Sequence, residues 1–334
     1  LEEIAREKAG IIDISSFAKY RVTGSDAEKA VARLSAGRLP QPGRVRLAPL
    51  LAASGRLMGD LTLLRLSESE YWLTGSGYLQ SWHLRWFNEQ LGGLDVRVEN
   101  ISDSYGGFAV FGPRSREWLQ SIADDELSDE QVPFMSVRCA QMGFAPVVLA
   151  RLSVTGELGY EVYTPASHLP SLFARLHSSG DALGVRDIGL YALNSLRLEK
   201  GFGIWSREFS RDYTPRSSGL DRFIDYDRAG FIGREAALRD RETAPARRLV
   251  LLAIEASDAD ATGYEPITLG DRLVGFVTSG GYGHCAGLSL AMGYLDADIA
   301  IAGEGLRVSV LGEPRPCRVL TRPPVDPDGK RMRS

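Results

Sequence analysis

A chain of 334 residues is long enough for two or three domains. Its 44% hydrophobic and 25% charged content is ordinary for a globular protein, and 39 basic against 43 acidic residues leave a formal net charge of −4. That balance lacks the basic excess of a general nucleic-acid or membrane-surface binder, and no apolar run approaches the roughly 20 residues that span a bilayer.

The sequence opens Leu-Glu-Glu-Ile without a methionine, which reads as a trimmed chain or a piece of a longer one. A first helix is expected from Asp26 to Leu34, with Ser25 as N-cap and an apolar stripe through Ala27, Ala30, Val31 and Leu34. Strands follow at Leu61–Leu66 and Tyr71–Thr74, then a second helix over Gln80–Leu91 closed by Gly92-Gly93. A strand at Phe108–Phe111 leads through Gly112-Pro113 into a helix at Arg114–Ile122. Strands at Val147–Val154 and Tyr160–Tyr163 precede helices at His168–His177 and Ile188–Lys200, the last stopped by Gly201. From about residue 248 the pattern is strands alone, at Leu249–Ile254, Leu273–Thr278, Leu306–Leu311 and Pro316–Leu320, parted by Gly and Asp turns. The fold class is therefore α+β with a terminal all-β domain, joined by the linker ETAPARR at 242–248.

Several chemistries find no support. Cys139, Cys285 and Cys317 form no CxxC pair, and His83, His168, His177 and His284 never stand at metal-ligand spacing, so each reads as a packing or surface residue. Three scattered thiols suit a reducing, cytoplasm-like compartment. Gly75-Ser76-Gly77 between strand and helix lacks the third glycine of a dinucleotide fingerprint, because Gln80 stands there. A tight turn is the better reading.

One residue is out of place. In TGELGYEVY, Glu161 lies inside a strand, although strands are depleted in carboxylates. Period two sets Glu161 and Tyr163 on one face and Tyr160 and Val162 on the other. A strand glutamate commonly meets solvent; facing a pocket, it would suit a planar ligand with two adjacent donors. Asp60, directly after Gly59 at the entry of an apolar strand, poses the same question.

Taken in order, GIIDISSFAKYRVTGSDAEK, GDLTL, LTGSGYLQSWHLRWF, FGPRSREWL, TGELGYEVY, ALNSLRLEKGFGIWSRE, FIGREAAL and VGFVTSGGYG resemble the aminomethyltransferase (glycine-cleavage T-protein) family. Within it they are most similar to the folate-binding C-terminal region of dimethylglycine and sarcosine dehydrogenases. The resemblance implies a three-lobed fold: a discontinuous central α+β domain of residues 1–47 and 138–244, an inserted α+β domain of 48–137, and a jelly-roll or barrel-like β domain of 245–334. It implies tetrahydrofolate as cofactor, Glu161 gripping the pterin edge, and Asp60 as the catalytic carboxylate beside the reacting nitrogens. Thr62, Thr74 and Gly75 would line the same pocket, and Trp205 would pack against the ligand or the core. Val154 takes the place of an aromatic residue that the family sets against folate, and Leu193 that of a folate-associated arginine.

The implied reaction is one-carbon transfer forming 5,10-methylenetetrahydrofolate. The carbon would come from N-demethylation of a methylated glycine-type amine on a flavin-containing domain or subunit. The alternatives are a free-standing folate-dependent demethylase of an O- or S-methyl donor and a noncatalytic folate binder. The latter branch carries KGCYxGQ where this chain has KGFGIWS.

Overall fold

The computed structural model describes residues 1–302 and 304–334. Three β systems organise it. A five-stranded antiparallel sheet runs in the order Val45–Leu51, Leu57–Arg65, Glu70–Gly75, Ala18–Thr23, Arg97–Asn100. A six-stranded sheet runs Arg186–Asp187, Gly10–Asp13, Tyr105–Phe111, Gly159–Pro165, Ala145–Arg151, Ser136–Met142, with one parallel pair at its Arg186 edge. The third is a closed six-stranded antiparallel barrel that begins at Arg247 and ends at Leu320. Two α+β lobes plus a β barrel are the expected architecture.

Each open sheet buries one face on helices. Leu61, Leu63, Tyr71 and Leu73 pack against Ala27, Ala30, Val31 and Leu34 of one helix and Trp86 and Phe87 of another. Tyr160, Val162 and Leu149 pack against Trp118, Leu172 and Leu176. The remaining faces turn toward each other, meeting through Val45, Leu64, Trp72, Ala109, Val148 and Tyr163. Alternation along each strand therefore assigns every second residue to this shared seam.

The chain crosses between the two sheets at residues 14–17 and 101–104. These crossings do not coincide with bounds at 48 and 137, because Ala18–Thr23 pairs with Glu70–Gly75, and Tyr105–Phe111 pairs with Gly159–Pro165. Long-range pairing of this kind leaves no local signal.

Smaller differences have local causes. Ser25 does not cap the first helix; its hydroxyl donates to Asp95 Oδ2 at 2.6 Å and Asp26 occupies the N-cap. The strand expected at 61–66 begins at Leu57, so Asp60 is inside it rather than before it. The strand expected at 147–154 stops at Arg151, leaving Val154 in the following loop. A helix, Arg234–Glu242, precedes the barrel, and a single helical turn, Ile299–Ala302, interrupts the terminal β domain, too short to show a 3.6-residue period. No helix among the described residues is long and apolar enough to cross a membrane.

Buried ion pairs tie the parts together. Arg197 donates to Glu208 Oε2 at 3.0 Å, both almost fully buried, and Glu208 Oε1 accepts from Thr278 of the barrel at 2.7 Å. Arg6, on a short N-terminal helix at Glu2–Glu7, donates to Glu157 at 2.6 Å and to Glu199 at 2.6 Å, and Arg331 near the C-terminus donates to the same Glu157 oxygen at 2.9 Å.

Candidate functional site

The seam between the two open sheets gathers the polar residues singled out in the sequence. Thr62 pairs with Thr74, and Thr74 with Lys19, so one row of the five-stranded sheet presents two hydroxyls and an amine to the seam. Asp60 lies two residues before Thr62, on the same face. From the opposite sheet, Glu161 and Tyr163 project into the seam, and the Tyr163 hydroxyl donates to Glu161 Oε2 at 2.6 Å. The Thr74 side chain approaches that same hydroxyl, which joins the two walls.

The electrostatics differ from wall to wall. Burial pushes the Asp60 carboxyl up from its usual 3.8 to about 7; its own backbone N–H is the sole opposing influence, and no charged neighbour contributes. Burial also raises Glu161, with the Tyr163 hydrogen bond and the nearby Lys19 ammonium pulling it back toward the ionised form. Lys19 is completely buried and donates to the Ser15 and Phe17 carbonyls at 2.9 and 2.7 Å. Desolvation lowers its pKa to about 8, against the pull of Asp103, Asp13 and Glu161. One wall thus holds a carboxylate poised near neutrality, the other an acceptor with a counter-charge behind it.

Asp60 is presented by an irregular strand. Leu50 pairs with Gly59 and Leu51 with Leu57, so Met58 is an extra, bulged residue. Bulges re-aim neighbouring side chains, and this one lies two residues before the carboxylate.

Not every expected residue reaches the seam. Trp205 is buried in a cluster with Leu57, Leu79, Phe209 and Leu220, which makes it a core residue at the base of the Asp60 strand. Val154 is 38% exposed, on the loop that leads into the Glu161 strand. Gly75 has a packing reason of its own: a Cβ there would meet Leu61 Cδ2 at 2.3 Å. In LRLEKG, Arg197 and Glu199 are consumed by the ion pairs to Glu208 and Arg6. Sequence reasoning missed Tyr163 and Lys19 as site residues. Tyr163 was readable as the i+2 neighbour of Glu161; Lys19 required knowing that the two sheets stack.

These walls fit a flat, donor-bearing ligand. Glu161 is half-buried with Oε1 free of Tyr163, and Thr62 and Asp60 are half-buried rather than sealed in the core. Two α+β lobes followed by a closed six-stranded β barrel are the T-protein fold. Residues 2–228 match the GCVT N-terminal domain, and residues 247–326 match the glycine cleavage T-protein C-terminal barrel domain. The chain belongs to this family, whose aminomethyltransferases bind tetrahydrofolate. It is 35% identical over 331 residues to mitochondrial dimethylglycine dehydrogenase of Mus musculus, a match covering 98% of this chain and 38% of the mouse protein. It is 31% identical over 325 residues to the aminomethyltransferase of Streptomyces coelicolor, covering 95% of this chain and 87% of that one. Aminomethyltransferase T from Bartonella henselae shares the fold, with a TM-score of 0.88 at 24% identity over 98% of this chain and 89% of that structure.

Proposed function

We propose that this chain transfers a one-carbon unit at the formaldehyde oxidation level to tetrahydrofolate, forming 5,10-methylenetetrahydrofolate. The carbon would be released by N-demethylation of a small methylated amine of the glycine type. The observation that carries the reading is the placement of Asp60: a carboxylate with no ion-pair partner among the described residues, pushed up to about 7 by burial, on the same wall as Thr62 and Thr74 and across the seam from Glu161. Bound tetrahydrofolate supplies the nucleophilic nitrogen and carries the carbon away. The protein's own contribution is to hold, orient and take a proton.

Glu161 accepts the paired N–H donors of a pterin edge, and Tyr163 fixes its carboxylate through the 2.6 Å hydrogen bond. Thr62 and Thr74, paired across neighbouring strands, line the ring's path, with Gly75 at the end of the Thr74 strand. Asp60 receives a proton at its carboxylate, and a pKa near the working pH suits it to both accept and release one. Leu64, Trp72 and Tyr163 close the apolar part of the seam and limit water. Holding two reactants together supplies much of the remaining gain.

The chain spans 38% of the length of the mouse dehydrogenase it matches. We therefore assign the amine oxidation to a flavin-containing domain or partner, and to this chain the folate half of the reaction. We divide the chain into a body and a barrel unit starting near residue 245, in keeping with the separate matches at 2–228 and 247–326. A reducing compartment suits the three free cysteines.

The test is single-turnover formation of methylenetetrahydrofolate by wild type and Asp60→Asn, with folate binding measured in parallel. Transfer should slow by about 10²–10⁴ while affinity stays within a few-fold. An Asn variant as fast as wild type removes Asp60 from the chemistry. A methyl rather than methylene product would instead point to an ether or sulfonium donor.

A further inference from the structure

We propose that His83 is a positioning residue for Asp60: its imidazole holds the bulged Met58 carbonyl and so fixes the stretch of strand that presents the carboxylate. The proposal rests on the reading of Asp60 as the proton acceptor.

The strand around Asp60 is paired on one side only. Its register partner on one side is Pro49, whose carbonyl turns away to accept from Ala36 N at 2.9 Å, so on that side the pairing is carried by the flanking Ala48–Leu61 and Leu50–Gly59 pairs. On the other side the pairing with Glu70–Gly75 runs only from Thr62 to Arg65. Between Leu57 and Leu61 the ladder is therefore one-sided and interrupted by the Met58 bulge. Leu57 N donates to Tyr213 O at 2.9 Å and anchors the strand's start. The next anchor is His83, whose Nε2 lies 2.9 Å from Met58 O.

A carbonyl can only accept, so Nε2 carries the proton and Nδ1 the lone pair. The Tyr20 hydroxyl sits 3.4 Å from Nδ1 while reaching Gln80 O at 3.1 Å. The ring stacks on Phe87 at 5.6 Å with an interplanar angle of 6°, and it is completely buried. Burial lowers the pKa of His83 to about 4, so it stays neutral where Asp60 titrates. Packed against the ring are Tyr20 from one strand, Trp82 and Phe87 from its own helix, and Met58 and Gly59 from the bulged strand; Tyr20 is the titratable one among them. The fit to the bulge is close: a Cβ on Gly59 would stand 2.8 Å from His83 Nε2. A leucine could fill this space, but it could not hold the carbonyl. That difference separates positioning from packing.

The test compares His83→Leu and His83→Gln, since a glutamine amide can reproduce the Nε2 donor. Asp60 is labelled with ¹³C at its carboxyl and titrated by NMR without ligand; tetrahydrofolate affinity and single-turnover transfer are measured alongside. His83→Leu should lower the Asp60 titration by about one pH unit as water reaches the loosened bulge. It should slow transfer by about 10- to 100-fold with folate affinity within about threefold, and His83→Gln should recover most of both effects. Gly59→Ala, which pushes the ring off the carbonyl, should match His83→Leu and serves if that variant fails to fold. A folded His83→Leu with the wild-type titration and rate overturns the proposal, as does a His83→Gln no better than leucine. If Asp60→Asn transfers at the wild-type rate while His83→Leu still moves the Asp60 titration, positioning stands and the catalytic assignment falls.

Discussion

Asp60→Asn should make the protein more stable at alkaline pH even as it removes the carboxylate proposed to accept the proton. The carboxyl rises from 3.8 in its ordinary state to about 7 in the fold. A difference of that size corresponds to about 4 kcal/mol between the protonated and ionised forms at about 1.4 kcal/mol per pH unit. Asp60 is half-buried, so water reaching the carboxylate reduces this to about 2 kcal/mol. The folded state binds the proton more tightly than the unfolded chain. Stability therefore falls as pH rises from about 4 to about 7, and the full cost is present above that window. Asparagine is neutral at every pH and resembles the protonated acid in shape. Its advantage should be absent at pH 4, grow through the window and level off by pH 8, where the melting temperature should be higher by about 2–5 °C. Thermal melts of both proteins at closely spaced pH values measure it. A constant offset from pH 4 to pH 8 would refute the reasoning, because it would mean that ionisation of Asp60 does not strain the fold.

The remaining predictions concern the opposite wall and the barrel. Glu161→Gln turns an acceptor into a donor facing a donor, and should weaken tetrahydrofolate binding by about 30- to 1,000-fold, or about 2–4 kcal/mol, in titration calorimetry; an unchanged dissociation constant would leave Glu161 only its structural hydrogen bond from Tyr163. Glu208→Ala leaves the buried Arg197 guanidinium without its partner and also removes the acceptor for Thr278. It should cost about 3–5 kcal/mol in denaturant unfolding, whereas a loss below about 1 kcal/mol would show that water replaces the carboxylate.

The legible part of the site was the part with a short-range signal. Glu161 and Tyr163 share a face because strand side chains alternate, and a carboxylate among Tyr and Val on that strand was visible at once. Asp60 stood out by following Gly59, yet the strand around it was read as starting at Leu61. Its true start depends on pairing with Val45–Leu51 and on the bulge at Met58, which are contacts across sequence. His83 read as a packing residue, and it is buried; its hydrogen bond to Met58 follows from the same bulge and could not be read from spacing. Trp205 carried an aromatic signal that suited ligand or core equally, and the cluster with Leu57 and Leu79 places it in the core. The terminal barrel was clear from turns and alternation, whereas the crossings between the open sheets depend on which strands find each other.

Glu157 gives the C-terminal segment more weight than a tail ordinarily has. It sits on the loop between the Arg151 and Gly159 strand ends, buried, and one of its oxygens serves both Arg6 and Arg331. Arg6 in turn is shared with Glu199, so two cations and two anions balance only while all four are present. Cutting the chain before Arg331 would leave a surplus negative charge at the buried Glu157, on the same loop that carries Val154 and leads into Glu161. Shortening at that end is thus a change of charge beside the Glu161 wall rather than a trim of its surroundings.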